Sequence, residues 1–354
     1  MTRPKRIVAD DPAGKATLHD VAKQAGVSAM TVSRVVNEQP GVKPATRDRV
    51  ERVLNQLGYR PNIVARGLKA AETNTLGLLV PDVTNPYFPS LVRGAEDVAF
   101  DAGYTLVLHN FIEDREREAA ALTMFEERRV DGVIVCSPRL PESRLHEHLA
   151  RQTAAVVVNR RAPAEIAGSV RVDHEVGARL AVRHLLELGH RTFGVLAGPD
   201  DSTAGQERLA GIHEELKAAG ITLQEASIIH CPPTMKGGSD ASKVLLERDP
   251  RPDAVLCFND LVAAGTLETA RNLNLSVPDN LSVVGYDDIA YASMFTPALT
   301  TLRVPTYELG AHAMRMLLGR MNGEPRSIGI VVQPELIVRN STSTPRRTLQ
   351  ESSA

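Results

Sequence analysis

Within ten residues the chain sets Ser28, Ala29, Met30, Thr31, Ser33, Arg34 and Asn37 in SAMTVSRVVN. At helical spacing, Ala29, Met30, Thr31, Ser33 and Arg34 share an outer face. That mixture suits the edges of base pairs and the phosphates beside them: a guanidinium can bond guanine O6 and N7, small apolar groups can meet a thymine methyl, and hydroxyls can take phosphate oxygens. Such chemistry needs a rigid helix that stands proud of the fold.

The preceding residues supply one. In Thr17–Asn37, TLHDVAKQAGVSAMTVSRVVN, Leu18, Val21, Ala22 and Ala25 fall at i, i+3, i+4 and i+7, an apolar stripe on a short helix. Gly26 tolerates the positive φ of a tight turn, and Ser28 suits the N-cap of a second helix. Helix, turn and capped helix make a helix-turn-helix pattern; an ordinary helical hairpin in a core is the other reading of this stretch alone. Pro44 suits the first turn of a third helix, where Val50, Val53, Leu54 and Leu57 repeat the stripe before Gly58.

Charge favours the first reading. Residues 1–70 hold thirteen Lys and Arg against six Asp and Glu, a net of +7, so the remainder of this −2 chain carries −9. A small basic head on an acidic body is the footprint of phosphate binding. At 354 residues and 43% hydrophobic, the chain can bury two or three domains. It has no apolar run of membrane-spanning length and no secretory segment at its start, so a cytoplasmic location is expected. Cys136, Cys231 and Cys257 are too few and scattered for disulfides or zinc and read as buried thiols. No Walker loop, G-x-S-x-G, H-E-x-x-H or paired carboxylates appear, so no enzyme, cofactor or metal is expected. His146 and His148 read as a solvated face, and His184 and His190 as structural.

From Leu76, short apolar runs alternate with helical segments. LGLLV, TLVLHN, GVIVC and AAVVVN form a first series, and VRVD, TFGVLAG, SIIH, AVLCF and LSVVGYDD a second. Two such series predict an α/β fold with two doubly wound lobes and a ligand cleft beyond the carboxyl ends of their strands. The expected boundaries are a disordered arm over 1–16, a helix-turn-helix domain over 17–61, a linker or hinge helix over 62–72, a two-lobed core over 73–339 and a disordered Ser/Thr-rich tail over 340–354. The tail lacks heptads, which favours a dimer over a higher oligomer.

In this order TLHDVAKQAGVSAMTVSRVVN, TRDRV…LGYRPN, VARGLK, LGLLVPDVTNPYF, RRVDGVIV, LGHRTFGVLAG, RLAGI, FND, VVGYDD and FTPALTT resemble a transcriptional regulator of the lactose-repressor/galactose-repressor (LacI/GalR) family, from Thr17 to about Arg339. The resemblance implies a head, a hinge helix and a core of periplasmic-binding-protein type. It implies base reading by Ala29, Met30 and Arg34, and phosphate contacts from Ser28, Thr31, Ser33 and Asn37. Further DNA contacts would come from Thr17, Leu18, Asn62, Ala65 and Lys69, with Leu68 wedged into the minor groove. Gly67 stands where many members carry Ser, which makes the hinge helix more dependent on DNA.

The same resemblance gives Tyr87, Phe88, Asn110, Asn159, Arg160, Arg208, Asn259 and Asp287 as effector contacts, with Asn159 and Arg160 at the crossing between lobes. Asn, Arg and Asp around an aromatic suit a sugar; Arg208, Asn259 and Asp287 could equally cap helices or tie loops. Around Gln206 the chain departs from members that carry arginine there. The implied protein is a homodimeric repressor on a pseudo-palindromic operator, its affinity changed by a small-molecule effector. Alternatives are a co-repressor protein of purine type, a catabolite regulator controlled by a phosphocarrier protein and, in another class, a solute-binding protein.

Overall fold

The computed structural model describes residues 16–59, 73–325 and 329–345. The residues divide into two compact units, Met1–Thr73 and Asn74–Ala354.

The first unit is three helices, α1 (Leu18–Ala25), α2 (Ala29–Val36) and α3 (Pro44–Gln56). Thr17 and Asp20 close a reciprocal capping box at the start of α1, and Gly26 ends that helix at φ +65°. A Cβ there would find open space, so conformation rather than crowding calls for glycine. Ser28 caps α2 by accepting from the Thr31 amide at 3.2 Å. Val21, Ala22, Ala25, Val32, Val35, Val50 and Val53 form the buried centre, with Leu18 and Leu54 half-buried around it.

The second unit holds two sheets. The first is built from β1 (Thr75–Val80), α4 (Tyr87–Asp101), β2 (Thr105–Asn110), α5 (Arg115–Glu127), β3 (Gly132–Cys136), α6 (Glu142–Ala150), β4 (Ala155–Val158) and β5 (Gly168–Val172). The chain then crosses to α7 (His174–Leu188), β6 (Phe193–Leu196), α8 (Thr203–Ala218), β7 (Ile228–Ile229), α9 (Met235–Leu246), β8 (Ala254–Cys257), α10 (Asp260–Asn272), β9 (Ser282–Asp287) and β10 (Thr300–Arg303). It returns to the first lobe as α11 (Thr306–Met321) and β11 (Ile330–Val332), and crosses once more to end on β12 (Glu335–Ile337).

The sheet orders are β11-β5-β4-β3-β1-β2 and β12-β10-β9-β8-β6-β7, parallel except for the β10–β12 pair. Along the first sheet alternate residues face opposite ways: Leu76, Leu78, Ile134 and Val156 pack towards α4 and α11, while Leu79, Val133, Val135 and Val157 meet Leu122, Phe125 and Leu145 of α5 and α6. The second sheet is covered in the same way by α7 and α8 on one face and α9 and α10 on the other. Helices α4 and α11 touch backbone to backbone. A Cβ on Gly94 would strike the Tyr307 carbonyl, and one on Gly310 the Leu91 carbonyl.

Three expectations change. VRVD, assigned to the second series, is β5 of the first sheet, so the crossing comes at Asp173 and not at Asn159–Arg160. The elements after β9 were not anticipated and carry the two further crossings. The expected disordered tail is ordered over 340–345: Ser341 Oγ donates to the Val283 carbonyl at 2.6 Å and accepts from the Thr300 amide at 2.8 Å, His184 meets Thr342 Oγ1 at 2.9 Å, and His190 Nε2 lies 2.9 Å from the Ser343 carbonyl. Hydroxyls that read as disordered tail instead satisfy backbone groups of β9 and β10. Residues 1–15 and 346–354 lie outside the described residues. No described helix is long and apolar enough to cross a membrane.

Candidate nucleic-acid interface and inter-lobe cleft

In the first unit the apolar side of α2 is spent on Val32 and Val35, which leaves the opposite side to solvent. Met30 is 67% exposed, and Arg34 is exposed beside it. Ala29, Thr31 and Ser33 are half-buried along the same helix. Ser28 and Thr31 share a hydroxyl–hydroxyl bond of 2.9 Å, and Asn37 folds back to donate to the Ser33 carbonyl at 2.8 Å. Thr17 spends its hydroxyl on Asp20 at 2.6 Å, and Leu18 packs against the helical core. The N-termini of α1 and α2 concentrate partial positive charge where phosphates could lie. Asn62, Ala65, Leu68 and Lys69 lie outside the described residues.

In the second unit the eight expected effector residues separate into two sets. Tyr87 and Asn159, from the first lobe, and Arg208 and Asp287, from the second, come together between the lobes. Asn159 sits just past β4 at φ +61° and donates from Nδ2 to Tyr87 Oη and Ser137 Oγ, both at 3.1 Å. Its Oδ1 is buried without a hydrogen-bond partner. Burial raises the Tyr87 hydroxyl pKa, and the Asp287 carboxylate adds to that rise, so the two residues face one another across the cleft.

Arg208 is held on every side. Its guanidinium stacks 3.6 Å from the centre of the Tyr286 ring, donates from Nη1 to the Phe258 carbonyl and from Nε to His174 Nδ1 at 3.3 Å, and places Nη2 3.7 Å from Asp287 Oδ1. An arginine N–H can only donate, so His174 is neutral and carries its proton on Nε2. Burial, and then Arg208, hold its pKa well below the usual value. Asp287 adopts φ +110° at the end of β9, and burial pushes its pKa up to about 7 against the pull of Arg208. At neutral pH the Asp287 carboxyl thus sits near its titration midpoint beside a permanently charged guanidinium, so a bound ligand can tip its protonation either way. Behind it, Asp260 accepts from Thr301 Oγ1 at 2.5 Å and from the Ile289 amide at 2.8 Å.

The other four side chains are committed to the fold. Phe88 is buried in the first lobe, edge-on to Tyr87 at 5.0 Å. Asn110 ties the loop after β1 by accepting from the Val83 amide at 3.3 Å. Arg160 donates to the Leu140 carbonyl at 2.6 Å. Asn259 caps α10 through the Val262 amide at 2.9 Å and donates to the Pro233 carbonyl at 3.2 Å. Sequence reasoning missed Ser137, His174, Phe258 and Tyr286. Tyr286, beside Asp287 in VVGYDD, and Phe258, beside Asn259 in FND, stood in stretches already singled out. Cys136, Cys231 and Cys257 are free and buried. No group of three metal-ligating side chains occurs among the described residues.

Comparison with known proteins agrees with this division. Residues 17–62 match the family described as bacterial regulatory proteins, lacI family, and residues 182–342 the periplasmic binding protein-like domain. Catabolite control protein A of Priestia megaterium is 34% identical over 92% of this chain and 99% of its own length. The HTH-type transcriptional repressor PurR of Salmonella typhi is 38% identical over 93% and 97%. Among solved structures, the lac repressor dimer bound to operator and the anti-inducer ONPF superposes with a TM-score of 0.84 at 30% identity, over 93% of this chain and all of that one. The transcriptional regulator CelR–cellobiose complex matches at 0.70 and 32%, over 92% and 99%. With head and two-lobed core matched in one chain, at this identity and coverage, the protein belongs to the LacI family of DNA-binding bacterial regulators.

Proposed function

We propose that the protein is a homodimeric repressor that binds a pseudo-palindromic operator and changes its affinity when a small polar effector occupies the cleft between the lobes. The exposed Met30–Arg34 face on a helix whose other side is buried carries the DNA half of this reading. In it, Ala29, Met30 and Arg34 read bases in the major groove, and Thr17, Leu18, Ser28, Thr31, Ser33 and Asn37 set the head on the backbone. Asn62, Ala65, Leu68 and Lys69 extend the contact through the hinge segment.

The cleft half rests on the buried Asn159 Oδ1, an acceptor with no partner on a side chain bonded to Tyr87, and on the Arg208–Asp287 pair of the other lobe. A hydroxyl-bearing ring would donate to that oxygen and to Asp287 while its apolar face meets Tyr87. A sugar or sugar derivative has this chemistry, and related proteins are known with cellobiose and with ribose bound. Phe88, Asn110, Arg160 and Asn259 then shape the cleft from behind. A co-repressor of purine type is the second reading, favoured by the edge-on Tyr87–Phe88 pair and by the 38% identity to PurR.

Effector binding would favour one arrangement of the lobes and so act on DNA affinity, a reciprocal coupling of about 1–3 kcal/mol. Selection of bound duplexes from a random DNA pool, with and without sugars, sugar acids and purines, tests the whole scheme. A palindrome lost on adding one compound establishes induction, one gained establishes co-repression, and no enrichment under any condition removes the proposal.

A further inference from the structure

The lobes also meet at a second place. Arg115, the first residue of α5, donates to Asp201 Oδ2 from Nη2 at 2.7 Å and from Nε at 3.1 Å. Asp201 Oδ1 lies 3.7 Å from Nε of Arg139, whose side chain is only 5% exposed and donates from Nε to Glu113 at 2.6 Å. Asp201 belongs to the second lobe, in the loop between β6 and α8; Glu113, Arg115 and Arg139 belong to the first. The strand orders locate this group. All three crossings leave from β5, β10 and β11, at one edge of each sheet. Glu113 and Arg115 follow β2, the opposite edge of the first sheet, and Asp201 follows β6, next to the opposite edge of the second. The ion group therefore spans the cleft on the side remote from the crossings, where a hinge motion about them opens widest.

The backbone beneath it is strained. Ile112 and Glu113 both take left-handed φ, +53° and +55°, a conformation a β-branched residue rarely adopts, and this turn brings the Glu113 carboxylate to Arg139.

We propose that Asp201 closes an inter-lobe latch: by bridging Arg115 and Arg139 across the mouth of the cleft it holds the core shut with no ligand present, and Glu113 keeps Arg139 within its reach. Asp201 is 25% exposed and Arg115 47%, so added salt weakens the latch. On the effector reading above, the closed fraction also scales the apparent ligand affinity. The latch itself stands without that reading.

Pulsed electron paramagnetic resonance on the ligand-free full chain tests it, with spin labels on Glu147→Cys and Lys236→Cys, one well-exposed site on each lobe. The native thiols are buried, and doubly labelled protomers are diluted into unlabelled chain. One short inter-lobe distance is expected at low salt. Asp201→Asn should raise the open-to-closed ratio about two- to fivefold, and raising salt from about 0.05 to 0.5 M should open the parent comparably but not the variant. Adding Arg115→Ala to Asp201→Asn should open the lobes little further, because the ion pair is already gone. Identical distributions for the parent and Asp201→Asn, or equal salt response in both, would overturn the latch. Because no effector or DNA is present, that failure leaves the proposed function standing.

Discussion

The head draws its exposed α2 face from within six consecutive residues, Ala29 to Arg34, whereas the cleft gathers Tyr87, Asn159, Arg208 and Asp287 from two helices and two strand ends. The two faces also differ in what their side chains bond to within the chain. Met30 and Arg34 project into solvent, whereas Arg208 is bonded to Phe258 and His174 and lies against Asp287, with Asn159 Oδ1 and His174 Nε2 buried and unpartnered nearby. A surface that waits for its partner can be short and local. A cleft lined by buried charge needs neighbours to neutralise it, and those must come from the whole fold.

The sharpest way to separate the two regions is to damage one. Gly94→Val forces a side chain into the Tyr307 carbonyl and should cost the core about 3 kcal/mol or more, while circular dichroism of the head's helices and its separate melting stay unchanged. Arg34→Ala should lose about 1–3 kcal/mol at one base position, measured against duplexes substituted singly across the selected site. Equal loss on all sequences would remove its reading role. Ser28→Ala should cost the head about 1 kcal/mol through the lost cap; if the core's melting transition moved as well, the independence of the two regions would fail.

The smallest effect concerns Asp287. Its pKa in the folded protein, about 7, lies above the ordinary 3.8, so ionisation costs the folded state, and stability falls as pH rises from about 4 through 7. Asp287→Asn escapes that cost. Its melting temperature relative to the parent should climb by about one to three degrees between pH 6.5 and pH 8 and then level off. A constant difference would mean that the carboxyl is not buried as the structure places it.

The same contrast explains what could be read in advance. Gly26 and Ser28 act on atoms within four residues of themselves, so residue type and spacing sufficed for the head. The strands were legible as apolar runs. Which sheet each joins was not, because a parallel sheet places β5 beside β4 and β11 by contacts far apart in sequence. The three-residue strands β11 and β12 carry too little pattern to detect. His174, Tyr286 and Phe258 meet Arg208 across 34 to 78 positions, and nothing local announces that. Ser341 and Thr342 look like disordered tail until the strands they serve are in place.

The return of α11 to the first lobe bears on how the chain is made. The bare face of the first sheet, Leu76, Leu78, Ile134 and Val156, leaves the ribosome early, but the helix that covers it through Gly94 and Gly310 is translated just over two hundred residues after α4. The first lobe is thus begun first and finished last. During that interval its apolar face stands open to misassociation with other nascent chains.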